Sequence, residues 1–165
     1  RYLDMTKVCL RDGEPFGVCL IREGVEVGTP ALPYAVGCTA RIAEWDMPHL
    51  GMFHLRTRGE VPFRILRQST QPDGLIRGEI EWLTEAAGDV RPDSMTLCRR
   101  VLEQIIEKVG PDYFFAPLAY GDPRWISYRL AEVLPLESEE KQALLALRED
   151  GARLERLRAF LQRAA

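Results

Sequence analysis

The sequence predicts an α+β fold, with a small antiparallel β-barrel or sandwich first and a helical bundle lobe second. Three observations predict it. Between Val36 and Trp82, apolar and polar side chains alternate with a period of two, as in half-buried antiparallel strands. Short turns carrying Gly, Pro and Asp separate these runs. After Thr84 the apolar positions change to the spacing of a helix face.

Leu3, Met5, Val8, Cys9 and Leu10 place an apolar face on a short first helix, which Asp12-Gly13 should end. Phe16 to Arg22 is short and mostly apolar, which predicts a strand buried on both faces and closed by the Arg22-Glu23-Gly24 turn. A loop holding Pro30 and Pro33 follows. From Val36 to Asp46, Cys38, Ala40 and Ile42 alternate with Thr39, Arg41 and Ala43. Phe53, Leu55 and Thr57 alternate with His54, Arg56 and Arg58, and Phe63 and Ile65 with Arg64 and Arg67, giving two further strands. In the last, Ile76, Gly78, Ile80 and Trp82 face in, after the turn Pro72-Asp73-Gly74. Closure into a barrel is the usual answer to so many exposed edges.

The helical stretch begins with Leu97, Val101, Leu102, Ile105, Ile106 and Val109, a stripe that Gly110-Pro111 should stop. Asp122-Pro123 predicts an N-cap with proline in the first turn, opening a helix that carries Trp125, Ile126, Leu130, Val133 and Leu134 and ends at Pro135. Ser138 and Asp150 are the expected N-caps of two more helices, the first with Ala143, Leu144 and Leu147, the second with Leu154, Leu157, Phe160 and Leu161. The expected domains are therefore 1–83 for the first helix and the β lobe, 84–91 for a linker around Ala86, Ala87, Gly88 and Asp89, and 92–165 for the helical lobe.

Composition narrows the function. The net charge is -3 and only Lys7, Lys108 and Lys141 are lysines, so neither half is basic enough to suggest nucleic acid. No run approaches a transmembrane span and no charged-then-apolar leader opens the chain, which makes the cytoplasm the expected compartment. Cys9, Cys19, Cys38 and Cys98 form no C-x-x-C pair and read as reduced core residues.

Phosphate-binding glycine loops and a G-x-S-x-G elbow are absent from the sequence. His49 and His54 do not have the spacing of a zinc pair, and nothing local sets a cysteine beside a histidine. Glu79 and Glu81 share a strand face with Arg77, the pattern of a solvated surface. No catalytic residue, cofactor or metal is expected.

Two segments point to binding instead. Trp45-Asp46-Met47-Pro48-His49-Leu50-Gly51-Met52 is more apolar than a hairpin loop requires, and methionine suits adaptable surfaces. Met47, Leu50 and Met52 are its candidate contacts, with burial against the helical lobe as the competing account. Tyr113-Phe114-Phe115, near Tyr120, either staples structure together or lines a ligand site.

In order along the chain, these features resemble the Lon protease N-terminal domain family. The resemblance is carried by Arg1-Tyr2-Leu3-Asp4-Met5, Phe16-Gly17-Val18 and the Val36-Gly37 entry into Cys38-Thr39-Ala40-Arg41-Ile42. Gly59 before Val61-Pro62-Phe63-Arg64 continues it. Its most specific part is Glu140-Lys141-Gln142-Ala143-Leu144-Leu145 with Arg153-Leu154-Glu155-Arg156-Leu157, after the Leu134-Pro135-Leu136 stop. It implies a PUA-like barrel followed by a helical bundle, and a non-catalytic module that recognises unfolded or specific client proteins or peptides in a proteolytic system. It does not imply a catalytic residue.

The chain reads as the stand-alone bacterial version, with neither ATPase nor Ser-Lys protease domain following, and the family's first strand is expected upstream of Arg1. The alternative function is RNA binding by the PUA-like barrel, to which Arg56, Arg58, Arg64, Arg67 and Arg77 would contribute. The sequence does not specify an oligomeric state.

Overall fold

The alternation along residues 36–82 becomes one antiparallel ladder in a computed structural model, which describes residues 2–25, 31–50, 52–86 and 88–164. Expectations placed on Arg1, Pro30, Gly51 and Ala87 lie outside those residues. The chain divides into two compact units, Arg1–Leu83 and Thr84–Ala165, each with its own interior.

In the first unit, helix α1 (Tyr2–Asp12) precedes strands β1 (Phe16–Val18), β2 (Ile21–Glu23), β3 (Leu32–Pro33), β4 (Val36–His49), β5 (Met52–Thr70) and β6 (Ile76–Trp82). The main sheet has the order β1-β4-β5-β6, and β2 pairs with β3 in a separate two-stranded sheet. Among the described residues no ladder joins β1 to β6, so the hydrogen bonding is that of an open sheet rather than a closed barrel.

The run Phe16–Arg22 is not one doubly buried strand. Val18 pairs with Cys38 in the main sheet while Ile21 pairs with Pro33 in the small one, and both Val18 and Ile21 are exposed. The crossing between the sheets passes directly over Gly37. A Cβ there would lie 2.5 Å from Cys19 Sγ, 2.6 Å from the Val18 carbonyl and 2.7 Å from the Phe63 ring, so only glycine admits this approach.

The two strands expected at Phe53–Arg58 and Phe63–Arg67 are one strand of 19 residues, β5. Pro62 does not break it because the register shifts there, with Cys38 opposite Pro62 and Ala40 opposite Gly59. Thr39 repairs the irregularity: its Oγ1 accepts from Val61 N at 3.0 Å and donates to Val61 O at 3.2 Å. The buried apolar set of this unit is small, with Phe63, Leu83, Ala40 and Cys9 among its members.

The second unit is built from α2 (Pro92–Val109), a 3-10 turn (Pro111–Tyr113), α3 (Pro123–Val133), α4 (Ser138–Ala146) and α5 (Asp150–Ala164). Helix α2 starts earlier than its apolar stripe because Pro92 occupies the first turn, where its missing N–H costs nothing. It stops at Gly110, whose φ of 94° is a glycine conformation. Val109, counted in the stripe, is exposed; the buried line is Ser94, Cys98, Leu102 and Ile106. Asp122 caps α3 as expected, accepting from Arg124 N at 2.9 Å. Ser138 and Asp150 are not caps but the first helical residues of α4 and α5.

Leu102, Ile126, Leu130, Leu144, Leu154 and Leu157 form the centre of this core. Residues 84–86 belong to it through the backbone, since Ala86 N donates to Arg148 O at 2.8 Å and Asp150 N to Ala86 O at 3.2 Å. The return past Asp89 requires Gly151, where a Cβ would meet the Asp89 carbonyl oxygen at 2.1 Å.

Candidate functional site

The segment expected as a loop is the end of a long ribbon. β1 pairs with β4 only as far as Ala40 and β6 pairs with β5 only from Phe63, but β4 and β5 continue together to His49 and Met52. A two-stranded ribbon is marginal without help from its side chains. Register places Ile42 opposite Thr57 and Trp45 opposite Leu55, so Ile42, Trp45, Met47, Phe53 and Leu55 share one face. Trp45 and Phe53 meet edge to face with centroids 5.6 Å apart.

The other face is charged. Glu44 stands opposite Arg56 and pairs with it at 3.1 Å, and Asp46 stands opposite His54. At the base, Arg41 holds Glu60 at 2.6 Å and donates to the Gly13 carbonyl. Such exposed pairs are screened by solvent. They organise the ribbon more than they stabilise the unit.

All three residues predicted in this segment lie at the tip. Leu50 is 100% exposed, with Met52 at 53% and Met47 at 37%. With Trp45, also exposed, they make an apolar end on an otherwise charged ribbon. His49 and His54 are exposed, and among the described residues no three His, Cys, Asp or Glu side chains are placed to hold a metal ion.

The aromatic segment falls in the second unit and divides in two. Phe114 is 4% exposed and is part of the core, packed edge to face on Trp125 at 6.1 Å with the Arg129 guanidinium 5.9 Å from its ring centre. Tyr120 closes on the same Trp125 at 5.7 Å. Phe114 is thus a staple, out of a partner's reach, while Phe115 is half-buried and Tyr113 is exposed against Phe114. Among the predicted strand arginines, Arg56 pairs with Glu44, and Arg64 lies 3.9 Å from Glu81.

A buried polar network in the second unit was not expected. Arg153 is fully buried, donating to Asp150 at 2.7 Å, Glu85 at 3.0 Å, Ser127 Oγ at 2.9 Å and the Leu147 carbonyl at 3.0 Å. Its guanidinium stacks on the Tyr128 ring at 4.1 Å, Tyr128 donates to Glu85, and Arg124 reaches Glu85 at 3.3 Å. Buried Arg153 and the exposed Arg124 therefore meet two carboxylates whose side chains are themselves buried. A sequence signal existed: Arg153 lies four residues before Leu157 and next to Leu154, on the apolar side of its helix.

Cys19 and Cys98 are held as thiols. Burial, with Cys38 nearby, pushes Cys19 up to about 11, and burial with Glu155 nearby pushes Cys98 up to about 12. Cys98 Sγ also lies 3.7 Å from the Leu154 carbonyl that accepts from it. Among the described residues, no helix is long and apolar enough to cross a membrane.

The fold agrees with known structures. A Lon N-terminal domain protein from Xanthomonas campestris superposes with a TM-score of 0.75 at 34% identity, covering 96% of this chain and 83% of that one. The N-terminal domain of a Mycobacterium avium complex Lon protease superposes with a TM-score of 0.50 at 18% identity, over 87% of each chain, a likeness of fold alone. No curated protein sequence matches the chain. The family described as the substrate-binding domain of the ATP-dependent protease La (Lon) matches residues 1–163. Given that match and the 34% identity over 96% of its length, the chain belongs to the Lon substrate-binding domain family, a family of non-catalytic recognition domains.

Proposed function

We propose that the β4–β5 ribbon is the recognition element of this domain, and that its tip holds apolar side chains of unfolded or partly folded client proteins. The observation that carries the reading is the fully exposed Leu50 between Met47 and Met52, beside Trp45. Methionine and leucine at a ribbon tip offer a surface that adapts to many sequences, because their side chains repack at little cost. Tyr113 is a secondary contact, held in place by Phe114. The PUA-like description of the first unit belongs to this reading, supported by the family match and the long β4–β5–β6 ladder. So does delivery of the captured client to a protease. RNA binding has no comparable support.

The test uses a reduced and alkylated protein of known sequence as a permanently unfolded client, with affinity read by fluorescence anisotropy. Replacing Met47, Leu50 and Met52 together by serine should weaken binding at least about tenfold, the loss of roughly 1.4 kcal/mol. The thermal midpoint should be unchanged. Undiminished binding by a folded triple variant removes the tip from the recognition surface.

A further inference from the structure

The main sheet ends at β1 and at β6, and β6 is the longer of these two edges. Among the described residues no strand pairs with its outer side, and Arg77, Gly78, Glu79, Glu81 and Trp82 are exposed there. Edges are commonly blunted by lysine, proline, a bulge or brevity. β6 holds no lysine or proline. The irregularity in its ladder adds a residue to β5, at Leu66, and leaves β6 continuous.

The groups that this edge offers follow from alternation, since the amides and carbonyls of successive residues point to opposite sides of a strand. The Leu75 carbonyl accepts from Gln71 N at 2.8 Å and Leu83 N donates to the Pro62 carbonyl at 3.0 Å, both toward β5. Arg77, Glu79 and Glu81 share that direction, so the main-chain groups of Ile76, Gly78 and Ile80 point outward. Gly78 is not required by its own sheet: a Cβ there would make only ordinary contacts, 3.6 Å from the Arg67 carbonyl oxygen and from Ile80 Cγ2. A mid-strand glycine of this kind suits the close approach of a second backbone.

Charge selects the occupant. Arg77 and Glu79 lie on one face, opposite Ser69 and Arg67 of β5, and among the described residues neither joins an ion pair. Three antiparallel self-pairings use the outward groups near the middle of β6. One sets Arg77 against Arg77, and another sets Glu79 against Glu79. The third, centred on Gly78, sets Arg77 opposite Glu79 twice and Ile76 opposite Ile80 twice. Unlike charges then meet on one face and apolar side chains on the other.

We propose that β6 pairs antiparallel with β6 of a second copy, Gly78 against Gly78, continuing the sheet across a two-fold axis. About six main-chain hydrogen bonds, two from each pairing of outward residues, hold the two edges together. This surface is distinct from the ribbon tip and does not depend on client binding there.

The test is sedimentation equilibrium of the whole chain. Such a short edge buries less than a standard interface of about 1,600 Å², so the series runs to about 1 mM protein. The wild type should show a monomer–dimer equilibrium. Arg77→Glu or Glu79→Arg alone sets like charges opposite each other and should weaken it at least about tenfold. Both substitutions in one chain should restore association, and an equal mixture of the two single variants should form the heterodimer. Thermal midpoints should match the wild type throughout, because both positions are exposed. Amide exchange reads the register: Ile76, Gly78 and Ile80 should gain protection at high concentration, while Arg77 and Glu79 should not change. A wild type that stays monomeric over the whole series overturns the proposal. So does a dimer that both single variants retain, or a loss that the combined exchange of charges does not restore.

Discussion

The ribbon tip and the start of α5 invert the ordinary placement of side chains. At the tip, leucine and methionine stand in solvent with little packed against them. At the start of α5, Arg153 and its two carboxylates lie inside, where each nitrogen of the guanidinium has an acceptor. Apolar surface in water contributes nothing to folding, and buried charge is tolerated only when fully paired. The first arrangement leaves apolar surface available, and the second is internally complete. The first unit is sparsely buried and the second well packed.

The contrast can be broken most severely at Arg153. Arg153→Ala would leave Glu85 and Asp150 buried beside a cavity, and should cost about 3 to 5 kcal/mol in urea unfolding followed by helical circular dichroism. A loss below about 1 kcal/mol would mean that the network is solvated. Next comes Gly151→Ala, which drives a methyl group into the Asp89 carbonyl and should cost about 2 to 3 kcal/mol by the same measurement. At the tip, Leu50→Ser should alter stability by no more than about 0.5 kcal/mol. A larger loss would show Leu50 to be structural.

The smallest effect concerns Glu140, whose carboxylate is held below its usual range first by its hydrogen bond to Arg156, at 2.7 Å. A depressed carboxylate adds stability that is present above the unfolded value near pH 4.3 and lost as pH falls through the folded one. Glu140→Gln should therefore cost about 0.5 kcal/mol at pH 7 and nothing well below pH 4, measured as unfolding midpoints against pH. A difference that persisted at the acid end would assign the effect to packing.

Much of this was legible in the sequence where local rules act alone. Asp122-Pro123 opened α3 and Gly110-Pro111 closed α2, because caps and stops need only neighbouring residues. The run Phe16–Arg22 was misleading, since its division between two sheets depends on a contact with Gly37 that no local pattern records. The alternation also suggested two strands where there is one, because the Thr39 contact that carries β5 through Pro62 spans 22 positions. The tip residues stood out as too apolar for a turn. Phe114 stood out for the same reason and was core, since exposure follows from the packing of α2 and α3, not from residue type. The Arg153 network required knowing that residues 84–86 return to α5.

The length of the free ribbon has a mechanical consequence. From Ala40 to His49 the strand advances about 30 Å at roughly 3.3 Å per residue, so the tip is a lever arm on a base clamped by Thr39 and Arg41. Twisting that base by about 10° displaces Leu50 by about 5 Å. A small change of angle at the tightly bonded root thus becomes a wide displacement of the apolar end.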